Sequence, residues 1–157
     1  MRCSKGSIIA GGYVVKIVPI TLATLALAGA IVSGLALRVH YSTATEPCSI
    51  NDRWDCGIVN HSRYAEIAHC PVALLGVLAY LAMGGLALGK KRLPLFLTSA
   101  AGFLFAFRLT MIEELVLEVW CLYCVISQAI VAIMVLLSLG WFVAEYLSLK
   151  RSCAHRS

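Results

Sequence analysis

Four long apolar segments limit what this chain can fold into. Residues 17–37, 72–89 and 121–144 contain no Asp, Glu, Lys or Arg, and residues 93–117 contain only three such residues. Each segment reaches or nearly reaches the roughly 20 residues that a helix needs to cross the hydrocarbon core of a bilayer. Of the 157 residues, 61% are hydrophobic and 13% are charged, which excludes an ordinary soluble domain.

This pattern predicts an all-α membrane protein, a four-transmembrane-helix bundle that forms a single domain over residues 1–157. The predicted spans are roughly residues 17–38, 71–89, 93–117 and 121–147, and a long extracytoplasmic first loop covers roughly residues 39–70. Three Lys or Arg residues precede the first span, three form the turn at residues 90–92 and three follow the last span. Only Arg38, Arg53 and Arg63 flank or lie in the first loop. The positive-inside rule therefore predicts that both termini are cytoplasmic, and the net charge of +5 reflects topology rather than nucleic-acid binding.

The predicted topology separates the seven cysteines by compartment. Cys3 and Cys153 fall on the reducing cytoplasmic side, where we expect free thiols without a role. Five cysteines fall on the oxidising side, where disulfides persist: Cys48, Cys56, Cys70, Cys121 and Cys124. Taken alone, the spaced pair in the first loop is typical of a structural staple. A second pair at the same membrane face instead favours a relay, in which two mobile pairs conduct two electrons at a time by thiol–disulfide exchange.

The second pair, Cys121 and Cys124, opens the last apolar segment. At the start of a helix, unpaired amide groups and the positive end of the helix dipole stabilise a thiolate. Val125 follows the pair, so the His required for covalent haem attachment is missing. A zinc site formed by both cysteine pairs is a less favoured alternative, because only one pair has the usual short spacing.

Three segments of this chain resemble the vitamin K epoxide reductase family, in its bacterial single-domain form without a fused thioredoxin domain. They are Asn-His-Ser-Arg-Tyr-Ala-Glu-Ile at residues 60–67, Pro-Val-Ala-Leu-Leu-Gly at residues 71–76 and Trp-Cys-Leu-Tyr-Cys at residues 120–124. The resemblance extends over roughly residues 17–147. The chain departs from it before Pro71, where the family usually has a Gly and an aliphatic residue and this chain has His69 and Cys70. We expect Cys70 to be inert, with a competing disulfide or a part in the relay as alternatives.

The resemblance implies a membrane thiol–quinone oxidoreductase that supports disulfide bond formation. Cys48 would be attacked by a reduced, soluble thioredoxin-like partner on the extracytoplasmic side, Cys56 would pass electrons to Cys121, and Cys124 would reduce the quinone. The implied acceptor is ubiquinone or menaquinone in a bacterial cytoplasmic membrane. The alternative is reduction of vitamin K epoxide or vitamin K quinone by a protein of the endoplasmic reticulum membrane.

Two further interpretations of the cysteines differ from this one. A bacterial quinone reductase family that reoxidises periplasmic disulfide donors carries its two cysteine pairs in the reverse order, which argues against it. A non-catalytic membrane protein with structural disulfides is the alternative from another class. It is distinguished by exchange, since catalytic pairs cycle with quinone and structural disulfides resist mild reductants.

Several other residues are candidates for the quinone site. Gln128 lies one helical turn after Cys124, where its amide could donate to a quinone carbonyl, with packing against another helix as the alternative. Ser62 resembles a family hydroxyl near the active site, with helix capping as the alternative. Trp54 is placed in the interfacial aromatic belt, where it could cover the quinone.

Charged and polar residues near the predicted outer membrane face give weaker signals. The cluster Glu113, Glu114 and Glu118 is interpreted as a water-exposed interfacial group, with proton supply to the quinone as the alternative. Arg108 inside the third span is costly in lipid and is expected to snorkel or to pair with a loop carboxylate. His40 marks the end of the first span and is expected to do no chemistry.

Overall fold

A computed structural model describes residues 9–42, 48 and 50–154 of the chain. Cys3 lies outside the described residues, and so does the side chain of Cys153. Within these described residues the fold contains five α-helices and one small hairpin. In chain order they are α1 (Ile9–Tyr41), α2 (Cys56–Asn60), β1 (Glu66–Ile67), β2 (Cys70–Pro71), α3 (Val72–Leu88), α4 (Arg92–Ile112) and α5 (Leu122–Ala154).

Three of the helices are long and apolar enough to cross a membrane. The qualifying stretches are Ile17–Tyr41, Arg92–Leu117 and Leu122–Ser148. Helix α3 is apolar but has only 17 residues, which at about 1.5 Å per residue makes it shorter than the roughly 30 Å hydrocarbon core. The prediction of a mostly helical membrane protein is confirmed, whereas a fourth crossing by α3 stays a prediction.

The long helices pack with α1 against α3 and α5, and with α4 against α5. Their shared core includes Leu22, Met83, Leu95 and Met134, all of them fully or almost fully buried. The α1–α3 contact depends on Gly29, because a Cβ atom at this position would overlap the ring of Tyr80. The Tyr80 hydroxyl continues the contact to α5, where it donates to the Ser127 carbonyl at 2.7 Å.

The segment predicted as one loop at residues 39–70 contains regular structure. It includes α2, a 3-10 turn at Arg63–Ala65 and an antiparallel hairpin in which β1 pairs with β2. The two hairpin turn residues, Ala68 and His69, have φ angles of 50° and 65°. Such left-handed conformations cost little for glycine and more for residues with a Cβ, and the resembling family usually has a glycine at the position of His69.

The helical geometry changes directly after α4. Residues Glu113–Leu117 form a π-helical turn, and Glu118 then leaves the helix with a left-handed φ of 55°. The wider turn re-aims its side chains relative to those of the preceding α-helix. Insertions of this kind occur frequently at functional sites. Arg108, which precedes this turn, lies on the exposed face of α4. It makes no ion pair within the described part of the chain.

Candidate active site

Residues 50–71, which we call the outer segment, are joined to the residue before α5 by backbone hydrogen bonds. The Trp120 amide donates to the Arg53 carbonyl at 2.8 Å, and the Asp55 amide donates to the Trp120 carbonyl at 3.1 Å. We call this pair of hydrogen bonds the backbone clamp. Cys56 follows Asp55 and Cys121 follows Trp120, so the clamp brings these two cysteines together.

Four of the cysteines lie in or against one buried cluster. Cys48 and Cys56 form a disulfide, while Cys121 and Cys124 are thiols. Cys48, Cys56 and Cys121 are 3%, 0% and 0% exposed, and Cys124 packs against them from the start of α5. In this state the loop pair is oxidised and the helix pair is reduced.

Asn60 connects the two cysteine pairs. Asp55 caps α2 by accepting from the amides of Gly57 at 2.7 Å and Ile58 at 3.2 Å, which fixes the helix that Cys56 begins. One turn later, the Asn60 side chain donates to the Cys56 carbonyl at 2.9 Å and to the Cys121 sulfur at 3.6 Å. Asn60 is 6% exposed. Sequence reasoning named Asn60 only as part of a family string and gave it no role.

The surroundings of Cys121 favour its thiolate. The pKa of the Cys121 thiol is lowered chiefly by a hydrogen bond from the Cys124 side chain, with further help from the Cys124 amide and from Asn60. The Cys124 amide donates to the Cys121 sulfur at 3.4 Å. Burial and the charge of Glu113 oppose this shift of the pKa without reversing it. The thiolate is therefore available at lower pH than in an ordinary cysteine.

Glu113 is the carboxyl group closest to this chemistry. It is 2% exposed, accepts a hydrogen bond from the Cys121 amide at 3.0 Å and lines the same cavity as Cys124. The interpretation of Glu113 as part of a water-exposed cluster is therefore wrong. Glu113 follows the buried Thr110 by three residues and so lies on the same inward face of the helix, whereas Glu118 is exposed. The sequence groups the three glutamates together and does not show which of them is buried.

A cavity of about 430 Å³ lies beside Cys124. Helices α1, α3, α4 and α5 line it, together with residues of the segment 59–65. The wall of the cavity is mainly apolar. Cys124, Glu113 and Ser62 contribute polar groups to the wall. The volume lies within the roughly 300–1,000 Å³ of typical small-molecule sites.

The three residues expected at a quinone have different positions. Ser62 lines the cavity, and its hydroxyl donates to the Val59 carbonyl at 2.8 Å rather than capping the 3-10 turn that follows. The Gln128 amide oxygen instead accepts from the Thr110 hydroxyl on α4, and Trp54 packs on Trp120 with ring centroids 6.0 Å apart. Within the described residues, the structure brings only Ser62 of these three to the cavity wall.

His40 joins the end of α1 to the outer segment. Its Nδ1 lies 2.6 Å from the Asn60 carbonyl, and its Nε2 lies 3.3 Å from a carboxylate oxygen of Glu66. His40 thus holds the backbone of Asn60 in place, a function that its position at the end of a predicted span did not indicate.

Cys70 lies apart from this arrangement. It is an exposed thiol on β2, next to the left-handed turn residue His69, and it does not belong to the buried cysteine cluster. Nothing in the described structure gives it a partner in the relay.

Comparison with known proteins agrees with the sequence resemblance. The chain matches the model of the vitamin K epoxide reductase family over residues 20–151, close to the extent expected from the motifs. A search of curated proteins finds no significant match. The family match covers most of the chain, including both cysteine pairs and the cavity-lining helices. The chain therefore belongs to the vitamin K epoxide reductase family, a family of oxidoreductases.

Proposed function

We propose that this protein is a membrane thiol–quinone oxidoreductase that oxidises a dithiol partner and reduces a quinone. The observation that carries the proposal is the order of groups from loop to cavity. A disulfide between Cys48 and Cys56 adjoins the Cys121–Cys124 pair in one buried cluster, and Cys124 faces an apolar cavity. This order suits a path with a protein at one end and a lipid-soluble acceptor at the other.

Each turnover moves two electrons and two protons. A partner thiolate attacks Cys48 and releases Cys56, and the second partner thiol resolves the mixed disulfide. The Cys56 thiolate then attacks Cys121 of an oxidised Cys121–Cys124 disulfide and releases Cys124. Cys48 attacks Cys56 of the resulting Cys56–Cys121 disulfide and releases Cys121, which returns the loop pair to its disulfide and leaves the helix pair as a dithiol. The dithiol finally reduces the quinone to quinol as the Cys121–Cys124 disulfide forms again. The backbone clamp supports the middle step because it holds Cys56 beside Cys121.

The partner in this proposal is a soluble thioredoxin-like protein on the extracytoplasmic side. The protein crosses the bacterial cytoplasmic membrane four times, with α3 as the second crossing and both termini in the cytoplasm. The apolar sequence of α3 and its packing along α1 support this topology. The excess of Lys and Arg at the ends and at residues 90–92 supports the orientation.

The quinone head group, from ubiquinone or menaquinone, occupies the cavity next to Cys124. Ser62 is the polar residue that we assign to it, since its hydroxyl lines the wall and can accept or donate. Trp54 and Gln128 support the site indirectly, through the Trp120 contact and the contact between α4 and α5.

Reduction of vitamin K epoxide is the second candidate, favoured by the family match and by the reduced pair at the cavity. The dithiol would give up two electrons and two protons, the epoxide would lose its oxygen as water, and the products would be vitamin K quinone and a disulfide. Both candidates use the same four cysteines and differ in the acceptor.

The test uses purified protein in detergent with a reduced thioredoxin-like donor and a short-tail quinone. Quinone loss is followed by absorbance in the wild type and in Cys48→Ala, Cys121→Ala and Cys124→Ala. We expect turnover in the wild type and its loss in all three variants, with Cys70→Ala unchanged as the matched control. Wild-type activity with vitamin K epoxide alone would favour the second candidate. Disulfides that resist the donor, with no turnover on any acceptor, would mean that the cysteines are structural.

A further inference from the structure

We propose that Glu113 is a catalytic residue that carries protons from the Cys121–Cys124 pair to the quinone. This inference rests on the proposed function and concerns its last step. Thiol oxidation releases protons and quinone reduction consumes them, both at the same end of the cavity. A group that lies between the thiols and the quinone could transfer these protons directly. The step would then need no proton exchange with water.

The position of Glu113 meets the geometric requirements of such a group. Its carboxyl group accepts from the Cys121 amide at 3.0 Å, and the sulfur of that cysteine accepts from the Cys124 amide at 3.4 Å. The same residue lines the cavity that Cys124 faces. Among the described residues of the cavity wall, Glu113 provides the only carboxyl group, the other titratable ones being His40, Tyr64, Tyr80, Tyr123 and Cys124.

The burial of Glu113 argues for chemistry rather than surface electrostatics. A carboxyl group that is 2% exposed has lost nearly all of its hydration, which is costly unless hydrogen bonds replace the water. The Cys121 amide provides one such bond, and a glutamine could accept it equally well. A glutamine could not exchange a proton with a thiol. The distinction between positioning and proton transfer is therefore open to experiment.

The step balances within the site. Cys124 transfers its thiol proton to the Glu113 carboxylate, and its sulfur passes the electron pair to the quinone as the Cys121 thiolate attacks that sulfur. One S–S bond forms, both thiols are oxidised and the quinone is reduced. Glu113 returns the Cys124 proton to one quinone oxygen, and the proton released by Cys121 reaches the other oxygen through the same carboxyl group. No outside reductant is required.

The experiment compares Glu113→Gln with Glu114→Gln, a change of the neighbouring carboxyl group that does not line the cavity. Reduced proteins are mixed with a short-tail ubiquinone in a single turnover, and steady-state kcat and KM are measured with the thioredoxin-like donor. We expect kcat to fall about 100-fold in Glu113→Gln, a typical contribution of general acid–base catalysis, with KM for quinone little changed. Glu114→Gln should behave as the wild type.

Two further measurements distinguish proton transfer from a purely structural role of Glu113. Reduction of the Cys48–Cys56 disulfide by the donor involves neither Glu113 nor the quinone, so its rate should be unchanged in Glu113→Gln. If that variant does not fold, Glu113→Asp and Glu113→Asn form a second pair of equal size. We expect the aspartate variant to reduce quinone about tenfold or more faster than the asparagine variant.

The outcomes distinguish this inference from the function on which it rests. A wild type that reduces no quinone would overturn both. A wild type that is active, together with Glu113→Gln of equal kcat, would overturn the role of Glu113 alone. Equal rates for the aspartate and asparagine variants would do the same.

Discussion

At the scale of single residues, Asn60 contacts both cysteine pairs. Its side chain donates to the carbonyl of Cys56, in the loop pair, and to the sulfur of Cys121, in the helix pair. Its own carbonyl is held by His40. A hydrogen bond that favours the charged form of a thiol lowers the pKa of that thiol, so Asn60 influences which Cys121 species is present.

Replacement of Asn60 by Ala should raise the pKa of the Cys121 thiol and slow single-turnover quinone reduction. Loss of a hydrogen bond worth about 1.4 kcal/mol corresponds to about a tenfold lower rate. The lowered pKa keeps thiolate present at lower pH in the wild type. The deficit of the variant should therefore be largest at low pH and shrink as the pH rises above both pKa values. A pH profile of the single turnover measures this.

The matched control for this prediction is Asn51→Ala. Asn51 is exposed, and its side chain accepts from the amides of Arg53 and Trp54 at 3.0 Å within the same outer segment. We expect its pH profile to match that of the wild type. A deficit of Asn60→Ala that is the same at every pH would count against an effect on the thiolate.

At the scale of elements, the site depends on helix contacts made by small residues. Gly29 on α1 leaves room for the Tyr80 ring on α3, and the Tyr80 hydroxyl reaches Ser127 on α5. Ser127 and Tyr80 both line the cavity. Three helices are thus set against one another at the depth of the cavity, one turn below Cys124.

Replacement of Gly29 by Ala should push α1 away from α3 and destabilise the protein by about 1–3 kcal/mol, the usual cost of overpacking. Gly34→Ala is the control, because nothing lies within 4 Å of a Cβ at that position and alanine is the better helix former. Thermal unfolding in detergent, followed by circular dichroism, should show a lower midpoint for Gly29→Ala only. Equal midpoints for the two variants would contradict the close contact.

At the scale of the whole molecule, the outer segment sits on the bundle through the backbone clamp and the short hairpin. Helix α3, with 17 residues, begins directly after that hairpin. A short span is accommodated by local thinning of the bilayer or by flanking polar residues, at a modest cost. The hairpin and Cys70 are therefore expected at the membrane surface.

The proposed orientation predicts that a membrane-impermeant maleimide labels Cys70 in intact cells. Cys70 is an exposed thiol on the outer segment, whereas Cys121 is fully buried. Cys70→Ser should remove the label, and Cys3 and Cys153 should react only after the membrane is permeabilised. Labelling of the termini before permeabilisation would reverse the topology.

The sequence predicted the helical membrane class and the family because these depend on runs of apolar residues and on short motifs. It could not predict that Glu113 is buried, because its burial depends on a tertiary contact with the amide of Cys121. The positions of Asn60 and His40 depend on tertiary contacts between α1, α2 and the segment before α5. Gln128 was placed from α-helical spacing alone, which does not show that Thr110 of α4 takes its amide oxygen.

The burial of the sulfurs limits side reactions between the cysteines and small molecules in solution. Cys56 and Cys121 are 0% exposed, so solvent does not reach the contact between the two cysteine pairs. Under the proposed function, small thiols and dissolved oxidants in the surrounding water would have little access to the step between Cys56 and Cys121. Side reactions at this step should therefore be slow compared with exchange between the two cysteine pairs.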